Sequence, residues 1–322
     1  MRYIKPMVSL CLGACLVVGG WGPALAETFP SKPIKVIVGF SPGGTTDLIA
    51  RAVAGVAPEF LGQSLVVVNK PGASGTIGAK EVAGAKPDGY TLMIAGGSET
   101  VSVGHFKKLP YHPIEAFSPI TRFVRARMLI NVKADAPWKT FQEFVEDAKQ
   151  NPGKYKYASS GHGGIYHAAL LAMCDRTGIK MKHVPYKGGA PGLAALMGGH
   201  VDLAVASDAE AWPLVEGGKI RSLTLTSLDR SPIMKDVPTL KELGYDVYLE
   251  NQKGFVAPAN IPAERIAFLN DAFKKTYDHP AFVKLSGKLK LELGYLGPDD
   301  FRKSLQDMYN QIGEVLKQSG QQ

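Results

Sequence analysis

Ile34-Lys35-Val36-Ile37-Val38-Gly39-Phe40-Ser41-Pro42-Gly43-Gly44-Thr45-Thr46-Asp47-Leu48-Ile49-Ala50-Arg51 is the stretch on which the reading of the fold turns. Ile34 to Phe40 is an almost unbroken apolar run, the pattern of a strand buried on both faces of a parallel sheet. A glycine-rich loop, Ser41 to Thr46, follows it. From Asp47 to Phe60 the residues Ile49, Val53, Val56 and Phe60 recur on one helical face, and Gly62 is placed to stop the helix. Strand, glycine loop and helix in that order define α/β architecture.

The same grammar repeats outward from this stretch. Leu65 to Val68 reads as a strand, Lys70 to Gly75 as its loop and Thr76 to Ala85 as a helix; a turn at Lys86-Pro87-Asp88-Gly89 returns the chain to a strand at Thr91 to Ala95. The loop Gly96-Gly97-Ser98-Glu99-Thr100 again joins a strand end to an expected helix. Between Ser118 and Trp138 the texture changes: a polar, basic stretch, Thr121 to Arg127, runs into Met128 to Val132 and then a proline-containing connection, and this region reads as a crossing between two lobes. The pattern then restarts with a strand at Tyr155 to Ser159, the loop Ser160-Gly161-His162-Gly163-Gly164 and a helix over Ile165 to Arg176. Further strands are expected at Lys182 to Val184, Val201 to Ala206 and Ile220 to Thr226. The chain returns near Glu250 to Ala257, and Pro262 to Tyr277 and Pro298 to Lys317 read as closing helices, each headed by a proline whose missing N–H costs nothing there.

Residues 1–26 read as a cleavable export signal: Arg2 and Lys5 precede an apolar stretch from Met7 to Leu25, and Ala24-Leu25-Ala26 supplies the small-x-small cleavage pattern. Gly19, Gly20, Gly22 and Pro23 interrupt the run before it reaches the roughly 20 residues that span a bilayer. Cleavage after Ala26 leaves 296 residues, a length suited to two α/β lobes, and Cys174 as the one remaining cysteine, so the expected mature chain has no intramolecular disulfide. It would carry 35 basic and 29 acidic residues. A positive field favours anionic ligands or serves solubility alone, and the absence of any block of consecutive basic residues argues against nucleic acid.

Each expected lobe places a glycine loop between a buried strand and a helix N-terminus. Unpaired backbone N–H groups and the positive end of the helix dipole make such a junction an anion site. Gly43, Gly44, Gly161, Gly163 and Gly164 let backbone approach a ligand, or simply make turns. A bulky residue at Gly43 or Gly161 is expected to block binding. Asp47, at the loop–helix junction, is read as a cap. His162 is placed to donate to a carboxylate, His167 is read as structural, and Lys187 steers an anion or is merely solvated.

Gly39-Phe40-Ser41-Pro42-Gly43 matches the G-x-S-x-G nucleophile elbow and raises a serine hydrolase with Ser41 as nucleophile. The match fails on mechanism, because the residue after the nucleophile must give a backbone N–H to the oxyanion hole and Pro42 has none. No P-loop, dinucleotide fingerprint or paired Cys or His motif occurs, so neither cofactor nor metal nor catalytic residue is expected.

A set of motifs along the mature chain resembles one family. These are Phe29-Pro30-Ser31-Lys32-Pro33-Ile34, Phe40 to Arg51, Asn69-Lys70-Pro71-Gly72-Ala73-Ser74-Gly75, Pro87-Asp88-Gly89-Tyr90-Thr91-Leu92, Ala158-Ser159-Ser160-Gly161, His183-Val184-Pro185-Tyr186-Lys187-Gly188, Gly198-Gly199-His200-Val201-Asp202 and Asp236-Val237-Pro238-Thr239. They resemble the extracytoplasmic solute receptors of tripartite tricarboxylate transporters, the Bug-type receptors. The resemblance implies a type II periplasmic-binding-protein fold in which two lobes, residues 27–120 with 251–322 and residues 121–250, are joined by a two-crossing hinge. It implies a monomeric, periplasmic, non-enzymatic protein that traps a di-, tri- or aromatic carboxylate and hands it to membrane subunits; a ligand sensor feeding a kinase is the alternative. The implied ligand-binding residues are Phe40, Ser41, Gly43, Gly44, Thr45, Thr46 and Asp47 in one lobe with Ser98, and Ser159, Ser160, Gly161, His162, Gly163, Gly164, Pro185, Tyr186, Lys187, Ser207 and Asp208 in the other. His162 and Tyr166 stand where the family often has small residues, a departure that suggests an aromatic or longer carboxylate.

Overall fold

The computed structural model describes Met1, Tyr3 and residues 28–318; the rest of the expected export signal lies outside the described residues. Eleven strands among the described residues are β1 (Ile34–Val38), β2 (Leu65–Asn69), β3 (Thr91–Ala95), β4 (Phe117–Ala126), β5 (Met128–Lys133), β6 (Lys156–Ser159), β7 (Lys182–Pro185), β8 (Leu203–Ser207), β9 (Ile220–Leu225), β10 (Asn251–Pro258) and β11 (Glu292–Leu296). They form two sheets, a six-stranded one in the order β11-β4-β10-β3-β1-β2 and a five-stranded one in the order β7-β6-β8-β5-β9. In the first, β1 runs parallel to β2 and β3, with Val36 opposite Val67 and Leu92, while β10 lies antiparallel between β3 and β4. In the second, β6 runs parallel to β7 and β8, and β5 is antiparallel to β8 and β9.

Both faces of each sheet are buried, which explains the near-continuous apolar strands. Ile37, Met93 and Val256 point into a core shared with Phe301 and Leu305, while Val36, Val38, Leu92, Ile94 and Phe255 point the other way onto Ile49, Val53 and Phe273. Leu203 and Val205 divide from Ala204 and Ala206 in the same manner. The period-2 alternation of a strand is thus filled with hydrophobic residues at both phases.

Two readings of the sequence need correction. Thr121–Ala126, read only as a polar and basic stretch, is the second half of the strand β4. Its arginines are satisfied inside the fold: Arg122 Nε donates to Gly294 O at 2.7 Å on β11, and Arg125 pairs with Glu250. Arg127 alone stands between β4 in one sheet and β5 in the other. The expected helix from Asp47 to Phe60 is two pieces, Thr45–Ala54 and Pro58–Leu61, broken at Gly55.

The helices Thr76–Ala83, Ile165–Thr177, Ala263–Asp278 and Pro298–Gln318 fall close to expectation, although Pro262 precedes the third rather than heading it. No helix of the described residues is long and apolar enough to cross a membrane. The carboxyl ends of β1, β2 and β3 and those of β6, β7 and β8 send their loops toward one another, and these loops build the site.

Candidate ligand cleft

Two helix N-termini converge where the loops meet, and each is capped by a side chain from the other sheet's loops. Thr45, first in the helix after β1, donates its N–H to Glu210 Oε1 at 2.9 Å; Ile165, first in the helix after β6, donates to Ser98 Oγ at 3.0 Å. Four more bonds join the two sets of loops. Ser74 Oγ donates to His162 O at 2.7 Å, Ser102 Oγ to Gly163 O at 2.7 Å and Ser41 N to Lys187 O at 3.0 Å, and the hydroxyls of Thr45 and Ser207 meet closely. The cleft is therefore shut by hydrogen bonds, beside an apolar core cluster that draws on both sheets and the packing of Phe106 on His162 and His167.

A small cavity of about 20 Å³ remains inside it. Of the residues expected from sequence, Phe40, Gly44, Thr45, Thr46, Ser98 and Ser160 line it. Ile165, Tyr166, Gly188, Gly189, Glu210, Asn251 and Lys253 complete the wall without having been singled out as ligand-binding. Lys253 is 3% exposed, and among the described residues its ammonium makes neither a hydrogen bond nor a salt bridge; it lies 5.6 Å from the centre of the Phe40 ring. Burial pulls its pKa down, and the charges of Glu99 and Glu210 act against that. Glu99 is fully buried, and neither of its carboxylate oxygens has a hydrogen-bond donor among the described residues. A Cβ on Gly97 would come within 2.6 Å of Asn251 Oδ1 and 2.8 Å of Lys253 Nζ, so a side chain there would displace these two polar ends.

Glu210 is held by both sides of the cleft. Besides the Thr45 amide it accepts Ser207 N–H at 2.9 Å and the Tyr166 hydroxyl at 3.3 Å, through Oε2. Ser207 Oγ accepts Glu210 N–H in return, a reciprocal cap on the helix Asp208–Glu216. The Ser207-Asp208-Ala209-Glu210 spacing is the signal that would have found Glu210 in the sequence. Burial and the Glu210 carboxylate hold the Tyr166 phenol well above its ordinary pKa, so it stays a donor.

A second pocket of about 240 Å³ lies beyond Phe40 and Ser160, which line both. Gly161, His162, Pro185, Tyr186 and Lys187 line this outer pocket. Other expected residues do not face the inner cavity. Asp208 points away, with Oδ2 accepting Ser231 Oγ at 2.9 Å. Ser207 is spent on its cap, and Ser159 bonds His183 Nε2 and the Gly161 backbone. Gly164 precedes the helix beside Ser98, and Gly163 gives its carbonyl to Ser102. Gly43 is exposed, and a Cβ on it would meet open space. Asp47 is inside the helix and not at its cap, which is Gly44. It closes the loop by accepting Gly43 N–H at 3.0 Å; burial raises its pKa, but bonds from Arg51, Gly43 and Asn69 outweigh burial and hold it low.

His162, His167 and His183 bring ring nitrogens within 4.8 Å of one another, the nearest approach to a metal-ligand group among the described residues. The His167 and His183 rings are stacked, with centroids 4.0 Å apart. The lone pair of His167 Nδ1 is taken by Gly163 N–H at 3.1 Å, and His183 Nε2 is hydrogen-bonded with Ser159 Oγ at 2.7 Å. An aromatic stack describes the group better than a coordination set.

Two α/β sheets with a cavity between their loop ends define a solute-binding protein of the periplasmic type. The chain belongs to the TctC family, described as "Tripartite tricarboxylate transporter family receptor", which it matches over residues 49–321. It is 34% identical over 92% of its length to the "UPF0065 protein in gbd 5'region" of Cupriavidus necator, covering 90% of that protein. The solved structure of the periplasmic binding protein BugD superposes with a TM-score of 0.84 at 30% identity, over 91% of this chain and 99% of that one. Two structures from Rhodopseudomonas palustris hold ligands. One, with adipate, matches at TM-score 0.84 and 29% identity over 91% of this chain and 98% of that one; MatC, with bound malate, matches at 0.83 and 28% over 89% and 100%. The family and fold are those of solute-binding receptors and not of enzymes.

Proposed function

We propose that the protein is exported through residues 1–26, works as a monomer in the periplasm, and closes on a small organic carboxylate for delivery to the membrane subunits of a tripartite transporter. Lys253 carries this reading. A buried ammonium with no acceptor is costly, and a ligand carboxylate would supply the missing partner. The ligands printed for the two R. palustris structures, adipate and malate, support the same chemistry. The lobes in this proposal are residues 27–126 with 251–322, and 128–250, with Arg127 as one crossing and the segment before Asn251 as the other. The inner cavity would take the carboxylate on Lys253, with Ser98, Ser160, Thr46 and Asn251 around it. The loops at Ser159–Gly164 and Pro185–Lys187 would close from the opposite side.

The test is thermal unfolding of the mature protein, stripped of carried-over ligand by unfolding and refolding, against a panel of carboxylates. A bound ligand at 100 times its Kd adds about 2.7 kcal/mol. A selective upward shift that Lys253→Met removes is the expected result. A shift that Lys253→Met leaves intact, or stabilisation by uncharged solutes only, would reject the assignment.

A further inference from the structure

The cavity that offers Lys253 to a carboxylate has a second electrical feature. Two of the helix N-termini at the cavity have their first N–H filled from within the chain, Thr45 N–H by the Glu210 carboxylate and Ile165 N–H by the Ser98 hydroxyl, while a third, that of the helix Gly189–Met197, enters the wall through Gly188 and Gly189 without a side-chain cap. Lys253 is then the one cation in the cavity wall. Against it stand two carboxylates, Glu210 in the wall itself and Glu99 buried behind it, and both act on the lysine. One ammonium and two carboxylates leave this region with a net negative charge before any ligand enters.

From this we infer that the ligand is an amino-monocarboxylate, with its single carboxylate on Lys253 and its protonated amine on Glu210. The inference rests on the carboxylate reading above and narrows it. A dicarboxylate would bring a second negative charge against Glu210 in a closed, poorly solvated space, where like charges are strongly disfavoured. A zwitterion adds no net charge and gives each pole an opposite partner. Glu210 has room for one: Oε1 accepts only Thr45 N–H, and a carboxylate oxygen has two lone-pair sites. Phe40, Ile165 and the Tyr166 ring supply apolar wall for the carbon chain joining the two groups.

The experiment is calorimetric titration of the ligand-stripped mature protein with length-matched sets: adipate, hexanoate, 6-aminohexanoate and 2-aminohexanoate, then succinate, butanoate, 4-aminobutanoate and 2-aminobutanoate. In at least one set an amino member should bind about tenfold or more tighter than the dicarboxylate of the same length, the size of effect a mismatched buried charge produces. Glu210→Gln should weaken that amino member about tenfold and strengthen the dicarboxylate. Glutamine has one acceptor oxygen, so it keeps the reciprocal cap with Ser207 at the expense of the Thr45 N–H bond, and the helix is retained. Tighter binding of the dicarboxylates by the unaltered protein, or an unchanged preference in Glu210→Gln, overturns the inference. If Lys253→Met abolishes binding while dicarboxylates are preferred, this inference falls and the carboxylate reading stands. If no member of either set binds, this inference falls, and the carboxylate reading is decided by the wider panel above.

Discussion

His167 and Asp208 are each buried beside a cleft loop, and burial gives their titrations opposite consequences. Burial, reinforced by His183 and His162, lowers the His167 pKa to about 3. An unfolded histidine titrates near 6.5, so as pH falls below that value the unfolded chain takes up a proton that the folded one refuses. This contribution to stability is complete above about pH 6.5 and is lost on acidification, at about 1.4 kcal/mol per pH unit. His167→Asn, which keeps an acceptor for Gly163 N–H, should therefore lose about 2 kcal/mol less than the parent between about pH 6.5 and 5, measured by urea unfolding. Burial raises the Asp208 carboxyl to about 6, against bonds from Ser231 and Ala209. Its folded pKa exceeds the unfolded one, so its stability is complete below about pH 3.8 and is lost as pH rises through about 6. Asp208→Asn should stabilise the protein by about 2 kcal/mol near pH 7 and by much less near pH 4.5. A constant advantage across that range would contradict a buried carboxyl as its source.

At the scale of elements, the reciprocal cap of Ser207 and Glu210 ties helix stability to the cleft. Ser207→Ala removes the side-chain acceptor for Glu210 N–H and the contact with the Thr45 hydroxyl. The expected cost is about 1 kcal/mol in chemical unfolding; no loss would mean the helix start is held from elsewhere. The elements that were legible in the sequence are those with both strand phases apolar, β1, β3 and β8 among them, because burial on both faces leaves no room for polar residues. β4 was misread because Thr121, Arg122 and Arg125 look solvated in one dimension, whereas Gly294, Asn270 and Glu250 satisfy them from distant segments. β11, a half-buried edge strand containing Gly294, carries too weak an alternation to be seen. The loops of the cleft were readable from their glycines and helix starts, but the direction of each side chain was not. Lys253 follows Asn251 and Gln252 in a strand with no motif, and a lone lysine before an apolar run announces its burial only once β10 is known to lie between β3 and β4.

For the whole molecule, the question is whether binding requires the two sets of loops to meet, and two glycines separate the possibilities. Gly43 and Gly161 both have positive φ, +84° and +126°, so replacing either with alanine strains the backbone. They differ in what the new methyl would touch. At Gly43 it reaches open space, whereas at Gly161 it would stand 2.4 Å from Ser74 Oγ and 3.3 Å from Ser74 Cα, across the cleft. The Ser74–His162 bond is adjacent, so Gly161→Ala has to push the two loops apart, while Gly43→Ala leaves them free to close. Gly43→Ala should thus keep its ligand affinity within a few-fold. Gly161→Ala should lose about tenfold or more, the scale of energy set by an interior that cannot absorb one extra methyl. X-ray scattering with saturating ligand should show contraction for the parent and for Gly43→Ala and a smaller change for Gly161→Ala. Equal losses in the two variants would assign the effect to backbone strain alone and remove closure at Gly161 from the binding mechanism.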